Sequence, residues 1–148
     1  MQAIRYRTGL DRTTFKPLVG WAHVQQSIAV IWTTRLLTRV MRLSFGSDVR
    51  SWLAEDLTPE TAIGIYDELV TAVHTHEPEY RIRDLQFVSL SREGGLGLKH
   101  GGIYYPEGRL GNYTIAQPVA ASLPLAAREG WYRRNAVLGV GTTGRTAT

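Results

Sequence analysis

The sequence predicts an α+β fold: N-terminal helices packed on a small, mainly antiparallel three-stranded sheet, with extended N- and C-terminal arms. Three observations predict it. Apolar residues recur at helical spacing from Trp21 to the region of Glu77. After Pro78 the pattern changes to that of strands, rich in Val, Ile, Leu, Phe and Tyr. Glycine and proline clusters then divide the strand region at short intervals, as a meander requires. At 148 residues the chain is one domain by length and long enough to bury a core. The expected divisions are an arm over 1–20, an α+β domain over 21–119 and an extension over 120–148.

Residues 1–20 are polar and basic with turn formers at Gly9, Pro17 and Gly20, so they read as an arm that docks rather than folds alone. Arg5, Arg7 and Arg12 read as solvated cations that could touch phosphates. Trp21 to Gly46 reads as one continuous helix. Val24, Ile28 and Ile31 form its apolar stripe, widened by Trp32, Leu36, Val40 and Met41. Its polar face carries Arg35, Arg39 and Arg42, with no acid between Trp21 and Phe45. Gly46 stands where a left-handed cap would end it. Ser47-Asp48 can cap a short helix over Val49–Leu57.

Thr58-Pro59-Glu60 is a helix start: an N-cap, a proline at the first helical position and an acid facing the positive end of the dipole. Ile63, Tyr66, Val70 and Val73 keep the helical period beside Ile65, Leu69 and Ala72, and Pro78 places the end at Glu77. Tyr80–Leu90 reads as a strand with an exposed start at Arg81, Arg83 and Asp84 and a buried part at Leu85, Phe87, Val88 and Leu90. A turn over 91–95 leads to a second strand over Leu96–Tyr105, where Gly101-Gly102 marks a bulge or a close backbone approach. Asn112–Val119 can supply a third strand. The extension, with Trp131-Tyr132-Arg133-Arg134 inside it, reads as partly disordered in isolation.

Composition excludes several classes. There is no cysteine, hence no disulfide, thiolate zinc site or thiol nucleophile. No apolar run has membrane-spanning length and no signal-peptide pattern opens the chain, so a soluble, unsecreted protein without a membrane partner is expected. The net charge of +4 is mildly basic and fits nucleic acid, an acidic protein or neither. His23, His74, His76 and His100 show no metal spacing and read as surface or helix-end residues, so no metal or cofactor is expected. No GxSxG elbow is present. Glu77 and Glu79 raise glycoside hydrolysis, yet two carboxylates around one proline are expected to splay apart rather than face a sugar.

Four pieces taken together resemble a known family. They are Gly9–Ile28 (GLDRTTFKPLVGWAHVQQSI), Thr33–Val49 (TTRLLTRVMRLSFGSDV), the helix ending in His76-Glu77-Pro78, and Tyr104–Ile115 (YYPEGRLGNYTI). Their order is similar to the baseplate wedge or sheath-initiator subunits of contractile-tailed phages, whose relatives serve type VI secretion baseplates. Some members of that family carry a lysozyme label. The resemblance covers roughly residues 8–116.

What the resemblance implies is a structural, non-enzymatic subunit of the virion tail baseplate, assembled in the host cytoplasm. It implies multiple copies in a symmetric ring, with wedge proteins, the tail sheath protein and tube or hub proteins as partners. It also implies a Glu-Pro-Arg corner that touches wedge proteins and strands that template the first sheath ring. Here the corner reads Glu77-Pro78-Glu79, so Glu77 and Pro78 carry over and Arg81, two residues after Glu79, is the candidate stand-in. The family often has a glycine before the arginine of the central run, where this chain has Leu37-Thr38-Arg39; a continuous helix follows from that departure. Glu77, Pro78, Arg81, Arg35, Arg39 and Arg42 are therefore the candidate partner-binding residues. The alternatives are a peptidoglycan-degrading lysozyme-like enzyme acting through Glu77 or Glu79, and a basic nucleic-acid-binding module using Arg35, Arg39, Arg42 and the arm. No specific nucleic acid is expected, because no aromatic platform interleaves those arginines.

Overall fold

The structure, a computed structural model, describes residues 3–56, 58–90 and 95–126. In chain order these form β1 (Thr8–Leu10), β2 (Pro17–Val19), α1 (Trp21–Thr33), α2 (Val49–Trp52), α3 (Pro59–His76), β3 (Tyr80–Leu90), β4 (Gly95–Tyr104), a 3-10 turn at Gly108–Leu110, and β5 (Gln117–Ala126). β1 and β2 pair as a small antiparallel hairpin. β3, β4 and β5 form an antiparallel three-stranded sheet in that order, as the meander reading expects. Val24, Ile28 and Ile31 from α1 and Ile65, Leu69 and Val73 from α3 meet Tyr80, Leu98 and Tyr104 of the sheet in one core. The α+β class is as the sequence predicts.

The long helix is shorter than the sequence predicts. α1 ends at Thr33, and residues 34–48 form an irregular, internally bonded loop. The reason lies at the last turn. The Thr33 and Thr34 hydroxyls donate back to Ala29 O and Val30 O at 2.7 Å each. Thr34 O, which a continuing helix would offer to Thr38, instead accepts from Ser47 N at 2.9 Å. Leu36, Val40 and Met41 fit the helical period but do not join the core.

α2 stops at Trp52, well short of Leu57, which lies outside the described residues. Asp48 stands at its N-cap, but the carboxylate takes the Ser51 hydroxyl (2.7 Å) instead of a backbone N–H. α3 begins and ends as its signals dictate: Thr58 Oγ1 accepts from Thr61 N, Pro59 opens the first turn, and Glu77 is the extended C-cap. Its buried face is the adjacent stripe, Thr61, Ile65, Leu69, Ala72 and Val73, while Ile63 is exposed. Both stripes have helical spacing, so only the position of the sheet decides between them.

β3 has the expected span, with Arg83 and Asp84 exposed and Leu85 and Phe87 packed against the core as the sequence predicts, but its two ends depart from that pattern. Tyr80 at its start is fully buried and Val88 is exposed. Register shifts between Ile82 and Asp84 and between Phe87 and Ser89 each move the alternation by one residue. The first of them lies opposite Gly101-Gly102, where the backbones approach closely: a Cβ at Gly102 would stand 2.1 Å from Arg81 O. The third strand is β5 at Gln117–Ala126, not Asn112–Val119, and it runs on past residue 119. Pro118 and Pro124 read against a strand there, but β5 is an edge strand, where proline is tolerated. The expected disorder of the extension falls largely on residues outside the described ones.

Candidate functional site

Pro78 ends α3, and the turn through Pro78-Glu79, closed by Tyr80 N donating to Glu77 O at 3.4 Å, brings the Glu77 and Glu79 carboxylates within reach of one cation. The two carboxylates therefore do not splay apart, as the sequence reading expects; both are buried, at 1% and 0% exposure. The arm supplies their cation. Arg7 Nη1 donates to Glu77 Oε1 at 2.9 Å and Oε2 at 2.8 Å, and lies 3.7 Å from Glu79 Oε2. Arg109 Nε approaches Glu79 Oε1 at 3.4 Å from the 3-10 turn. Arg7 is thus no free phosphate-seeking cation.

Backbone contacts lock the arm and the turn onto this corner. Gly20 N donates to Arg7 O (2.8 Å), Arg5 N to Glu107 Oε1 (3.1 Å) and Tyr105 N to Glu79 O (2.7 Å). Asn112 Nδ2 holds the other Glu107 oxygen at 2.7 Å. Gly108 is packed against the corner backbone so tightly that a Cβ would meet Pro78 O at 2.9 Å.

The charge balance at the corner is uneven. Burial pushes the Glu79 carboxyl above its ordinary range and the neighbouring Glu77 charge adds to it, while Arg7 and Arg109 pull the other way. Both Glu79 side-chain oxygens, the Tyr104 hydroxyl and His23 Nδ1 are buried without a hydrogen-bond partner. Burial, then the Glu79 charge, pushes the Tyr104 hydroxyl up to about 12. The contacts through Arg7 fix the corner, and the two carboxylates, being buried, form no accessible pair.

Beneath the corner lies an aromatic floor. Trp21 packs on Tyr80 and Tyr104 with ring centroids 5.0 and 5.8 Å away. His100 is buried, not at the surface: its Nδ1 is 2.9 Å from the Tyr80 hydroxyl and its ring meets Trp32 edge-on at 5.1 Å. Burial lowers its pKa to about 4. His74 Nε2 accepts from Ile82 N at 3.1 Å, and His76 packs on Phe45 at 4.9 Å. Among the described residues no group of three or more His, Cys, Asp or Glu side chains could hold a metal ion.

The remaining candidate residues lie elsewhere than a helix face. Arg81 Nη1 donates to Tyr80 O at 3.3 Å and Glu77 O at 3.5 Å, and to neither corner carboxylate. Arg35, Arg39 and Arg42 sit in the loop after α1. Arg35 bridges to Ser47 through the backbone, and the Arg39 and Arg42 guanidiniums lie over the Phe45 ring at 4.2 and 4.9 Å. The structure thus gathers Glu77 and Pro78 with Arg7, Glu79, Tyr104 and Arg109; of these four, Arg7 and Glu79 have other roles in the sequence reading, and Tyr104 and Arg109 are singled out by nothing in it. No sequence signal points to them, because the burial of two carboxylates around Pro78, which demands a cation, shows only in the fold.

Comparisons with known proteins follow the same elements. The family described as Baseplate wedge protein gp25 matches residues 20–97, more than half of the 148 residues. Among curated proteins no relative matches. The chain is similar to a chain in the cryo-EM structure of the postcontracted pyocin R2 baseplate, at 21% identity over 79% of this chain and 97% of that one, with a TM-score of 0.54. It is similar also to a crystal structure of a protein from Geobacter sulfurreducens provisionally described as a tail lysozyme, at 21% identity over 76% and 97%, TM-score 0.57. A chain of the 6-fold symmetrised anti-feeding prophage baseplate shares 17% identity over 88% and 89%, TM-score 0.49. At the first two identities the likeness is one of fold.

Proposed function

The chain belongs to the baseplate wedge protein gp25 family, and from that premise we propose that it is a structural baseplate subunit of a contractile tail. It links wedge proteins around the tube, in several copies arranged as a ring, and starts the first sheath ring. The observation that carries this reading is the family match across 20–97, which spans α1, the arginine loop, α3 and the corner.

Glu77, Pro78 and Arg81 form the corner that meets wedge proteins. Glu77 works from inside, by clamping Arg7 and with it the arm. Pro78 and Arg81 are partly exposed beside it. Arg35, Arg39 and Arg42 form a second, basic contact. Sheath strands add to a free edge of the sheet, whose outer strands are β3 and β5. Hub or tube proteins complete the surroundings in the virion, and assembly takes place in the host cytoplasm.

We infer that the chain does not hydrolyse peptidoglycan. A glycosidase needs two carboxylates on either side of an accessible glycosidic bond; Glu77 and Glu79 are buried and share Arg7.

The test is to produce the chain with the wedge and sheath proteins encoded beside it and size the product by light scattering. A discrete complex is expected, weakened by Glu77→Gln and by Arg81→Ala, with no lytic activity in any fraction. A monomer that ignores every neighbour, or peptidoglycan turnover lost with Glu77→Gln, would overturn the reading.

A further inference from the structure

Resting on that baseplate reading, we propose that the loop from Arg35 to Leu43 is a preshaped docking element. Its occupant is an apolar pocket rimmed by carboxylates on another protein of the assembly. The loop displays what a folded chain normally hides: Leu37, Val40 and Met41 are 75%, 88% and 94% exposed. Apolar side chains clustered in this way on the surface of a folded domain mark a contact.

Its shape is set by its own backbone. Leu37 N donates to Leu43 O (2.9 Å), Arg42 N to Arg39 O (3.1 Å) and Phe45 N to Arg42 O (3.1 Å). The Thr38 hydroxyl donates to Arg35 O at 2.6 Å. The base is closed by Ser47, whose N–H goes to Thr34 O and whose hydroxyl goes to Trp32 O at 3.1 Å. Gly46 adopts a φ of 125°, and a Cβ there would stand 2.2 Å from Thr34 O, so only glycine closes the loop this way. Leu37 holds a φ of 65°, a conformation that costs a branched apolar residue energy. A strained residue pointing a hydrophobic side chain into solvent is not a device for stabilising this chain. It fits a surface whose shape is fixed before its partner arrives, which lowers the ordering cost of binding.

Charge selects the partner. No Asp or Glu occurs between Trp21 and Ser47. Among the described residues, Arg35, Arg39 and Arg42 make no ion pair, since those found use Arg7 and Arg109. Both guanidiniums sit over the Phe45 ring, which gathers the two cations beside the apolar side chains, and guanidinium N–H groups grip carboxylates. A phosphate backbone matches the charge but gives no burial to Leu37, Val40 and Met41, so a protein pocket fits better.

The test uses the full chain co-produced with the wedge and sheath proteins encoded beside it, with a photo-crosslinking residue at Met41. Two further variants are made, Val40→Asp with Met41→Asp, and Arg39→Glu with Arg42→Glu. Expected is a complex whose Kd rises at least tenfold in either double variant, with the melting temperature of the free Val40/Met41 variant unchanged. The crosslink is expected in a partner peptide that combines apolar residues with Asp or Glu. A wild-type complex that tolerates both double variants within twofold overturns the loop proposal and leaves the baseplate reading standing. A crosslink to a basic or wholly polar surface, to DNA, or to a second copy's α3 face around Glu60, Ile63 and Asp67, overturns it equally. Failure of the wild-type chain to form any complex overturns both.

Discussion

Arg7 donates from one nitrogen to both carboxylate oxygens of Glu77, joining positions 70 apart in sequence. That contact ties the arm to the end of α3. It also places the Arg7 guanidinium between two buried carboxylates, since Glu79 lies 3.7 Å from the same nitrogen, while Arg109 approaches Glu79 alone at 3.4 Å. Removing one member of a buried pair is costly because the other charge stays buried without compensation.

Arg7→Ala should therefore destabilise the chain by roughly 3 kcal/mol, and more than Glu79→Gln, which removes a charge instead of stranding one. Urea unfolding of the two variants reads the difference. Hydrogen exchange in β1 and β2 should rise in Arg7→Ala, because the arm loses its anchor there. Equal stability of Arg7→Ala and wild type would mean that the arm is held by its backbone bonds alone.

Glu79 sets a pH dependence of known sign. Its folded-state pKa is raised, chiefly by burial, above the ordinary 4.5. The folded state therefore binds its proton more tightly than the unfolded chain does. Stability from this group is fully present below 4.5 and is lost as pH rises through the raised value. Glu79→Gln keeps the neutral form at every pH, so its melting temperature relative to wild type should climb from pH 4 to pH 8. A constant difference across that range would show that Arg7 and Arg109 compensate the charge fully.

How much was legible follows from how local each signal is. Thr58-Pro59 and Pro78 act on their own backbone, and α3 has the bounds they dictate. The end of α1 depends on Ser47 taking Thr34 O, a contact that no period in Leu36, Val40 and Met41 encodes. The buried face of α3, the burial of Tyr80 and the exposure of Val88 depend on where the sheet lies and on two register shifts. The resemblance to baseplate wedge subunits was carried by short motifs and holds across 20–97. The corner's cation was not legible, because Arg7 sits in a basic arm whose three arginines look alike in sequence.

His100 supplies an acid-side sensitivity. Burial lowers its pKa from 6.5 to about 4, so it is neutral in the folded state near pH 7. A base with a depressed folded pKa gives stability that is present above 6.5 and lost as pH falls toward 4, by up to about 3 kcal/mol. His23 and His74 are lowered too, also chiefly by burial, and act in the same sense. In His100→Gln the loss of stability between pH 6.5 and 4 should shrink without vanishing. Unfolding curves at both pH values measure it, and an unchanged slope would assign the sensitivity to other groups.

Gly101 and Gly102 offer a paired test of the bulge. Both face β3 where its register shifts, yet the space around them differs. A Cβ at Gly102 would lie 2.1 Å from Arg81 O and 3.0 Å from the carbon of the same carbonyl, so the β3 backbone itself would have to move. At Gly101 the nearest atom, Asp84 Oδ2, is 3.7 Å away, an ordinary contact. Neither residue has a positive φ, so sterics alone separate them. Gly102→Ala should cost about 2 kcal/mol or more, in the range of overpacked sites, while Gly101→Ala stays within about 0.5 kcal/mol of wild type. Thermal unfolding of the two variants decides it. Because Arg81 O belongs to the residue whose guanidinium reaches back to Glu77 O, Gly102→Ala should also loosen the corner, read as faster exchange of the Tyr105 amide that bonds Glu79 O. Gly101→Ala should leave that amide protected.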